Sequence, residues 1–245
     1  MYAMGFFMQI LKETFLFIFA RKQVGAHVLL MQIYFTGFNA MFIISFLSLA
    51  LGAIIIIQGI TILPKFGQGN LIYQILTIVI TRELGPILTA FIVIARSGTA
   101  IATEMGNMVV NHQIEAYISV GIKPISYLVV PRFLGVVISM VLLTLYFNFI
   151  GLVASFFVTQ LIQQIRIQEY FVNLMSVLTV GDIIISLVKG AVFGIIISCV
   201  ATFHAFQVKT SSTEVPVVVI KAVGQGFVLC IIANVIITLL YYISI

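Results

Sequence analysis

Long apolar runs separated by short polar connections dominate this sequence. A helix needs about 20 residues to cross a hydrocarbon core of about 30 Å. Five runs reach that length, namely Met41–Leu63, Leu71–Ala95, Phe133–Ile162, Ile183–Phe203 and Ala222–Ile245. The pattern predicts an all-α integral membrane protein whose single domain holds about five transmembrane helices over residues 41–245.

The N-terminal region, residues 1–40, has a different pattern. Its first 26 residues mix phenylalanines with polar side chains, which are Gln9, Lys12, Glu13, Arg21 and Lys22. A helix with one apolar and one charged side lies in the membrane interface rather than across it. We therefore expect an interfacial N-terminal helix, and an additional membrane span is the alternative.

The composition supports a membrane protein and argues against several other classes. The chain has 245 residues, of which 62% are hydrophobic and 8% are charged, whereas soluble domains carry about 25% charged residues. Its basic residues are scattered singly, so the net charge of +5 does not indicate nucleic-acid binding. Cys199 and Cys230 lie in apolar runs and the histidines show no ligand spacing, so neither a disulfide nor a metal site nor another bound cofactor is predicted.

The lysines and arginines predict how the chain is oriented, because cytoplasmic segments are enriched in both. Two basic residues, Lys65 and Arg166, fall in connections on one side of the membrane. Eight fall on the side of the N-terminus, and these are Lys12, Arg21, Lys22, Arg96, Lys123, Arg132, Lys209 and Lys221. The N-terminus is therefore predicted in the cytoplasm and the C-terminus outside.

The motif TRELGP interrupts the second apolar run with two ionisable residues and a helix-breaking pair. Each ionisable group near the bilayer centre costs about 2.5–3.5 kcal/mol on insertion scales. The charges can border a wet central cavity or join helices as an Arg–Glu pair, and the roughly 100° between adjacent helical residues favours the cavity. The candidate cavity residues are Arg82, Glu83, Leu84, Gly85 and Pro86.

A further ionisable residue, Lys189, lies in the fourth apolar run. Long basic side chains often extend along a helix until the charge reaches the interface. We expect Lys189 to extend towards the outer interface in this way, and a second contact with a lipid headgroup is the alternative.

The connection between the second and third runs carries two short patterns. Gly98, Ala102 and Gly106 recur every four residues, and such small residues let helices approach closely. Glu115-Ala116, with Gly121 six residues after the glutamate, resembles the cytoplasmic EAA loop of ABC-transporter membrane subunits. That resemblance implies a helix over Met105–Gly121 that docks on an ATPase.

A longer stretch makes the resemblance specific. RELGPILTAFIVIARSGTAIATEMGNM, followed by EAYISVGIKPISYLVVPRFLGVVIS, is similar to the MlaE/YrbE family of permeases. The resemblance departs in the C-terminal third, where KTSSTEVPVVVIKAVGQG replaces a glycine-rich loop and Asn234 stands where many relatives carry aspartate.

Membership of that family would imply a function and a set of partners. The chain would be the membrane subunit of an ABC system that moves phospholipid or similar hydrophobic molecules between membranes. It would work with a cytoplasmic ATPase, which holds the ATP, and with an MCE-domain protein on the far side. The membrane would be a bacterial inner membrane, or a plastid envelope in an alga or plant. The residues expected to couple to the ATPase are Glu104, Met108, Glu115, Ala116 and Gly121.

The sequence also favours a permease over an enzyme. It contains no G-x-x-x-x-G-K-[ST] phosphate loop, so a separate subunit would have to hydrolyse ATP. Because five spans make only half of a typical ABC membrane unit, a homodimer is expected. An ion-coupled transporter would predict internal repeats, and a lipid-modifying enzyme would need a nucleophile with a base or a metal cluster. Neither pattern is found in the sequence.

Overall fold

The computed structural model describes residues 3–19, 26–63, 71–163, 166–209 and 211–244. Within these ranges the chain forms helices and short turns and no strand. Five of the described helices are long and apolar enough to cross a membrane, and they cover Val28–Ile62, Leu71–Val110, Ile125–Ile162, Val180–Ala205 and Glu214–Ile243. The predicted all-α membrane fold with five spans is confirmed. Arg21, Lys22, Lys65 and the predicted turn at residues 64–70 lie outside the described residues.

The first three spans are built from α-helices joined by π-helical segments, in which an extra residue widens the turn. The first span contains α2 (Ala26–Ile33), a π segment (Tyr34–Phe38) and α3 (Asn39–Ile62). The second contains α4 (Leu71–Leu76), a π segment (Thr77–Leu84), α5 (Gly85–Val93), a π segment (Ile94–Gly98) and α6 (Thr99–Val110). The third contains a π segment (Ile125–Val129) and α8 (Val130–Gln163).

The remaining helices are the last two spans and three shorter helices at the ends of the bundle. They are α1 (Ala3–Phe19), α7 (Gln113–Ser119), α9 (Ile167–Val177), α10 (Val180–Ala205) and α11 (Glu214–Ser244). Helices α10 and α11 are the fourth and fifth spans. The connections alternate between the two ends of the bundle, so α1 and α7 lie at one end and α9 lies at the other.

The third and fifth spans begin eight residues earlier than predicted, at Ile125 and Glu214. Two other predicted boundaries were wrong by more than ten residues, because polar side chains are satisfied inside helices. The first span begins at Val28 rather than Met41. Gln32 donates a 3.0 Å hydrogen bond to the hydroxyl of Thr36, which is buried one turn further along. The second span continues beyond Ala95 to Val110, and Arg96 donates a hydrogen bond to the backbone carbonyl of Asn39 in the first span.

Helix α10 is the centre of the bundle. In the apolar 18-residue stretch of α10, 56% of the residues are buried, whereas in that of α11 only 11% are buried. Two glycines bring α10 close to α8. A Cβ on Gly194 would lie 2.8 Å from the Cα of Val137, and one on Gly190 would lie 2.9 Å from the hydroxyl oxygen of Thr144. Close contact between backbones is how small residues stabilise helix pairs in membranes.

Helix α1 lies against the end of the bundle that carries α7. Phe6, Ile10 and Thr14 recur every four residues and are buried, and the ring of Phe6 lies 5.8 Å from that of Phe203 in α10. The opposite face exposes apolar side chains, including Phe15. A helix with its outer face apolar suits a position in the membrane interface.

Helix α9 is fixed at the opposite end of the bundle. Tyr170 is fully buried, its hydroxyl shares a 2.6 Å hydrogen bond with that of Ser155 in α8, and its ring lies 5.6 Å from that of Tyr73 in the second span. Burial raises the pKa of Tyr170 to about 12. The phenol therefore stays neutral, and it joins α9 to the second and third spans.

Candidate functional site

The motif TRELGP lies where a π-helical segment meets α5. Thr77–Leu84 is π-helical, and Gly85-Pro86 begins the next α-helix. Gly85 and Pro86 are buried, and Gly85 lies so close to Asn148 of α8 that a Cβ would not fit. Arg82, Glu83 and Leu84 are only partly buried. The glycine and proline therefore shape the helix, while the three preceding side chains remain partly accessible.

Arg82 pairs with an aspartate at the start of α10. Its Nε donates to one carboxylate oxygen of Asp182, which is fully buried. The other oxygen accepts from the backbone N–H and the hydroxyl of Thr179, both at 2.9 Å, and completes the capping box of α10. The Arg82 guanidinium also lies 5.3 Å from the ring centre of Tyr241 in α11. One arginine thus contacts both α10 and α11.

Glu83 is the acceptor in a second set of contacts. Its carboxylate accepts from the Lys189 ammonium, from the Asn234 amide and from the Thr238 hydroxyl, each at 3.0 Å. Lys189 also donates to the backbone oxygen of Arg82 at 2.8 Å and to the Thr238 hydroxyl at 2.7 Å. An ammonium has three N–H donors, so Lys189 is saturated. These contacts join the second span to α10 and α11.

The expectation that Lys189 extends to the outer interface was wrong. Its side chain is 0% exposed, because the Glu83 carboxylate offers a partner inside the bundle. A buried cation next to a hydrogen-bonded carboxylate avoids the large cost of an unpaired charge. The departure noted at Asn234 lies in this network too, where the neutral amide donates to Glu83.

Arg82 and Glu83 do not pair with each other, since each takes its counter-charge from α10. Sequence reasoning missed both partners, although a signal was present. Asp182 and Lys189 are seven residues apart, which is two helical turns, so they lie on one face of α10. The second span carries one positive and one negative charge, and one face of α10 also carries one of each. The two pairs can therefore neutralise each other across the two helices.

The four charges differ in their access to the surface. The side chains of Asp182 and Lys189 are 0% exposed, those of Arg82 and Glu83 are 18% and 30% exposed, and two cations balance two anions. We call these four residues, together with Asn234 and Thr238, the charge network. Its accessible part belongs to the side chains of Arg82 and Glu83.

The cytoplasmic helix predicted over Met105–Gly121 is interrupted. Met105 is buried in α6, which ends at Val110, and α7 begins only at Gln113. Between them His112 adopts the left-handed conformation, with φ 56°, and this ends a helix. Gly121, with φ 77°, follows α7. The region is therefore a hairpin with a short helix between two turns.

The hairpin exposes α7. None of its residues is buried, and the exposed Glu115 pairs with His112 at 3.0 Å. Ala116 and Gly121 are also exposed, and so are the apolar side chains of Ile118 and Val120. Of the other two predicted coupling residues, Met108 is partly buried in α6, and Glu104 pairs with Arg132 at 2.6 Å.

The small residues of α6 and the preceding π segment face other helices. Gly98, Ala102 and Gly106 are all buried. A Cβ on Gly98 would lie 3.6 Å from Ile197 of α10, and one on Gly106 would lie 3.3 Å from Val215 of α11. The four-residue spacing thus brings the second span against the fourth and fifth spans.

Within the described part of the chain, no group of three or more His, Cys, Asp or Glu side chains could hold a metal ion. The four charges of the network are instead paired as Arg82 with Asp182 and Lys189 with Glu83. Five spans, a charge network between them and an exposed hairpin at one end define a multi-pass membrane protein.

Comparison with known proteins identifies the family. The family described as Permease MlaE matches residues 29–240. The chain belongs to this permease family, which confirms the resemblance seen in the sequence, and it is an ABC transporter permease.

Individual relatives are similar along most of the chain. A probable ABC transporter permease protein of Rickettsia typhi is 30% identical over 215 residues, which cover 88% of this chain and 83% of the relative. The intermembrane phospholipid transport system permease protein MlaE of Haemophilus influenzae is 26% identical over 195 residues, covering 78% and 75%. The chloroplastic protein TRIGALACTOSYLDIACYLGLYCEROL 1 of Arabidopsis thaliana is 29% identical over 172 residues, covering 70% and 49%.

Proposed function

We propose that this permease moves phospholipid, or a similar hydrophobic molecule with a polar headgroup, between membranes. The observation that carries the proposal is the charge network, in which one cationic and one anionic side chain remain partly accessible within a membrane span. The name of the Haemophilus influenzae relative supports the same substrate class. In this proposal the chain supplies the path for the lipid and performs no catalysis.

The depth of the network suits a headgroup crossing the bilayer. Arg82 lies eleven residues after Leu71, which is about 16 Å at 1.5 Å per residue and close to the middle of a hydrocarbon core of about 30 Å. The partly accessible Arg82 side chain carries a guanidinium, which suits a phosphodiester. Glu83 holds the network together and suits the ammonium of a headgroup, while Leu84 suits an acyl chain. Gly85 and Pro86, which are buried, would determine the direction of the helix where it borders the cavity.

A second copy of the chain would complete the cavity. Only 11% of the residues in the apolar 18-residue stretch of α11 are buried, the smallest share among the five described spans. Helix α11 exposes apolar side chains such as Ile232, Val235 and Ile236 next to the network residues Asn234 and Thr238. A twofold dimer that packs beside α11 would enclose two charge networks around one axis.

The hairpin suits the role of the ATPase-docking element. Helix α7 offers Glu115 and Ala116 on a projection without buried residues, and Ile118 and Val120 add apolar contact area. Gly121 forms the turn that follows α7, and Met108 packs at its base. A cytoplasmic ATPase would bind here and supply ATP hydrolysis. An MCE-domain lipid-binding protein would act at the end of the bundle that carries α9.

The membrane in which the protein works follows from the same proposal. The permease would lie in the inner of two membranes, and the name of the Haemophilus influenzae relative, which refers to intermembrane phospholipid transport, supports a system that works between two membranes. The chloroplastic relative extends the proposal to a plastid envelope if the chain comes from an alga or plant.

The proposal is tested by reconstituting the permease with its ATPase and following a labelled phospholipid. Arg82→Ala and Glu83→Ala should assemble less stably or transport poorly. A photo-crosslinking probe at Leu84 leaves the charges in place and should capture phospholipid in an ATP-dependent way. The same probe at Ile78, an exposed residue on another face of the π segment, should capture bulk lipid whether or not ATP is present. Normal transport by both alanine variants, with no ATP dependence at Leu84, would rule out the cavity role and leave the network as a helix staple.

A further inference from the structure

The two legs of the hairpin, α6 and α8, pack against different helices of the bundle. Helix α6 packs chiefly against α10 and α11, whereas α8 packs chiefly against α3 and α10. An ion pair bridges the legs at the base of the hairpin, because an Nη of Arg132 in α8 donates to the Glu104 carboxylate in α6 at 2.6 Å. This contact joins two residues that are 28 positions apart, and the segment between them contains all of α7.

Arg132 is held in one position by its surroundings. Its side chain is 8% exposed, whereas that of Glu104 is 52% exposed. The second Nη donates to the backbone oxygen of Leu128 at 2.9 Å, and the Nε is buried without a hydrogen-bond partner among the described residues. The carboxylate of Glu104 is the counter-charge for a guanidinium that water hardly reaches. Removing that carboxylate would leave a buried and uncompensated cation.

The other attachments of α7 to the bundle are the partly buried side chains of Ile114 and Tyr117, which pack against the core, and contacts near the surface. The rings of Tyr117 and Tyr127 lie 5.5 Å apart. Lys123 lies 3.8 Å from Glu13 of α1, but the lysine side chain is 76% exposed, and exposed ion pairs contribute little. Left-handed residues, His112 and Gly121, flank the helix at both ends. Without a contact between its legs, the hairpin could therefore bend at these turns.

We infer that Glu104 and Arg132 form a latch that fixes the distance between the two legs of the hairpin. A displacement of α7 is then transmitted through α6 to the rest of the second span instead of being absorbed by bending at the turns. The second span runs without a break from Glu83 to Glu104, which is 21 residues and about 32 Å. Both residues are positioning residues, and Glu104 acts through Arg132 rather than by touching the ATPase. The Glu104–Arg132 contact that forms the latch is part of the structure, while the role of the latch in coupling rests on the proposed function.

The latch is tested first without any partner. Spin labels at Thr103 in α6 and Ile138 in α8, both exposed, report the distance between the legs in proteoliposomes. Glu104→Gln should broaden the distance distribution, and the exchanged pair E104R/R132E should give a narrower distribution than either single variant. Glu169→Gln in α9 removes an exposed carboxylate far from the hairpin and should leave the distribution unchanged. An unchanged distribution in Glu104→Gln overturns the latch.

The role in coupling is tested with the ATPase bound. Glu104→Gln should still bind the ATPase and hydrolyse ATP, but the lipid moved per ATP should fall about fivefold or more, the usual lower range of a coupling effect. The exchanged pair should raise that ratio above either single variant, which a role in folding alone would not do. A normal ratio together with a broadened distance distribution overturns the coupling role. If no ATPase binds the unaltered permease, the proposed function is wrong. The spin-label distances, which are measured without the ATPase, still test whether the latch exists.

Discussion

Lys189 and Glu83 lie 3.0 Å apart on neighbouring spans, but only Lys189 is completely buried. The ammonium has no other carboxylate partner among the described residues, whereas Glu83 is 30% exposed and keeps hydrogen bonds from Asn234 and Thr238. The two partners of one ion pair therefore depend on it to different degrees.

This asymmetry predicts unequal effects of neutralising the two charges. Glu83→Gln leaves Lys189 as a buried uncompensated cation and should destabilise the protein by about 3–5 kcal/mol. Lys189→Met keeps the length of the side chain and leaves a carboxylate that is still hydrogen-bonded and partly exposed, so the loss should be smaller. Thermal unfolding in lipid nanodiscs measures both variants. The double variant should be more stable than Glu83→Gln alone, and equal losses in the two single variants would contradict the asymmetry.

The close packing of α8 and α10 predicts that Gly194 tolerates no side chain. In Gly194→Ala the new methyl group would lie 2.8 Å from the Cα of Val137, so the helices must separate. Overpacking of this kind costs about 1–3 kcal/mol, and the unfolding temperature should fall. Gly5→Ala in α1 is the matched control, because nothing lies within 4 Å of its added Cβ. If the two variants unfold alike, the α8–α10 contact is looser than described.

The orientation predicted from the basic residues can be measured by chemical labelling. Asn111, in the turn before α7, and Gln168, in α9, are both exposed and lie at opposite ends of the bundle. A cysteine at Gln168, or at Lys65, should react with an impermeant thiol reagent added outside intact cells. One at Asn111 should react only after the membrane is opened. The reverse pattern would mean that the chain is inserted the other way round.

The exposed hairpin predicts a binding defect without a folding defect. Glu115 is paired only with the equally exposed His112 among the described ion pairs, and exposed pairs contribute at most about 1 kcal/mol. Glu115→Lys should therefore insert and unfold normally while its co-purification with the ATPase, or its lipid-stimulated ATP hydrolysis, falls. Glu169→Lys, on the opposite end of the bundle, is the control. Unchanged coupling in a well-folded Glu115→Lys would show that α7 is not the docking element.

The number of spans could be predicted because hydropathy is a property of each run of about 20 residues. The boundaries could not, since they depend on partners. Gln32 and Thr36 look like connection residues in the sequence, yet they bond to each other inside a helix. Arg96 looks like the end of a span, yet it contacts the first span and the helix continues.

The charged residues also depend on partners that the sequence does not reveal. Arg82 and Glu83 could be singled out because each is costly in a membrane, but no local pattern says which counter-charge each one meets. Lys189 was misplaced because a window of sequence contains its apolar neighbours and not the carboxylate on another span. Glu104 was recognised by its place in a family motif, and its bond to Arg132 is visible only in the fold.

The π-helical segment Thr77–Leu84 has a consequence for how the chain can vary in length. Its turns hold an extra residue compared with an α-helix, so the wide turn takes up that residue without rotating the helix that follows. An insertion or deletion of one residue in a regular α-helical part of the span, such as α5, is not taken up in this way and would rotate everything after it by about 100°. The buried side of Gly98, Ala102 and Gly106 would then turn away from α10 and α11, while Arg82 and Glu83 stayed in place. One apolar residue can replace another in much of this span, but a change of length by one residue is tolerated only where the helix is π-helical.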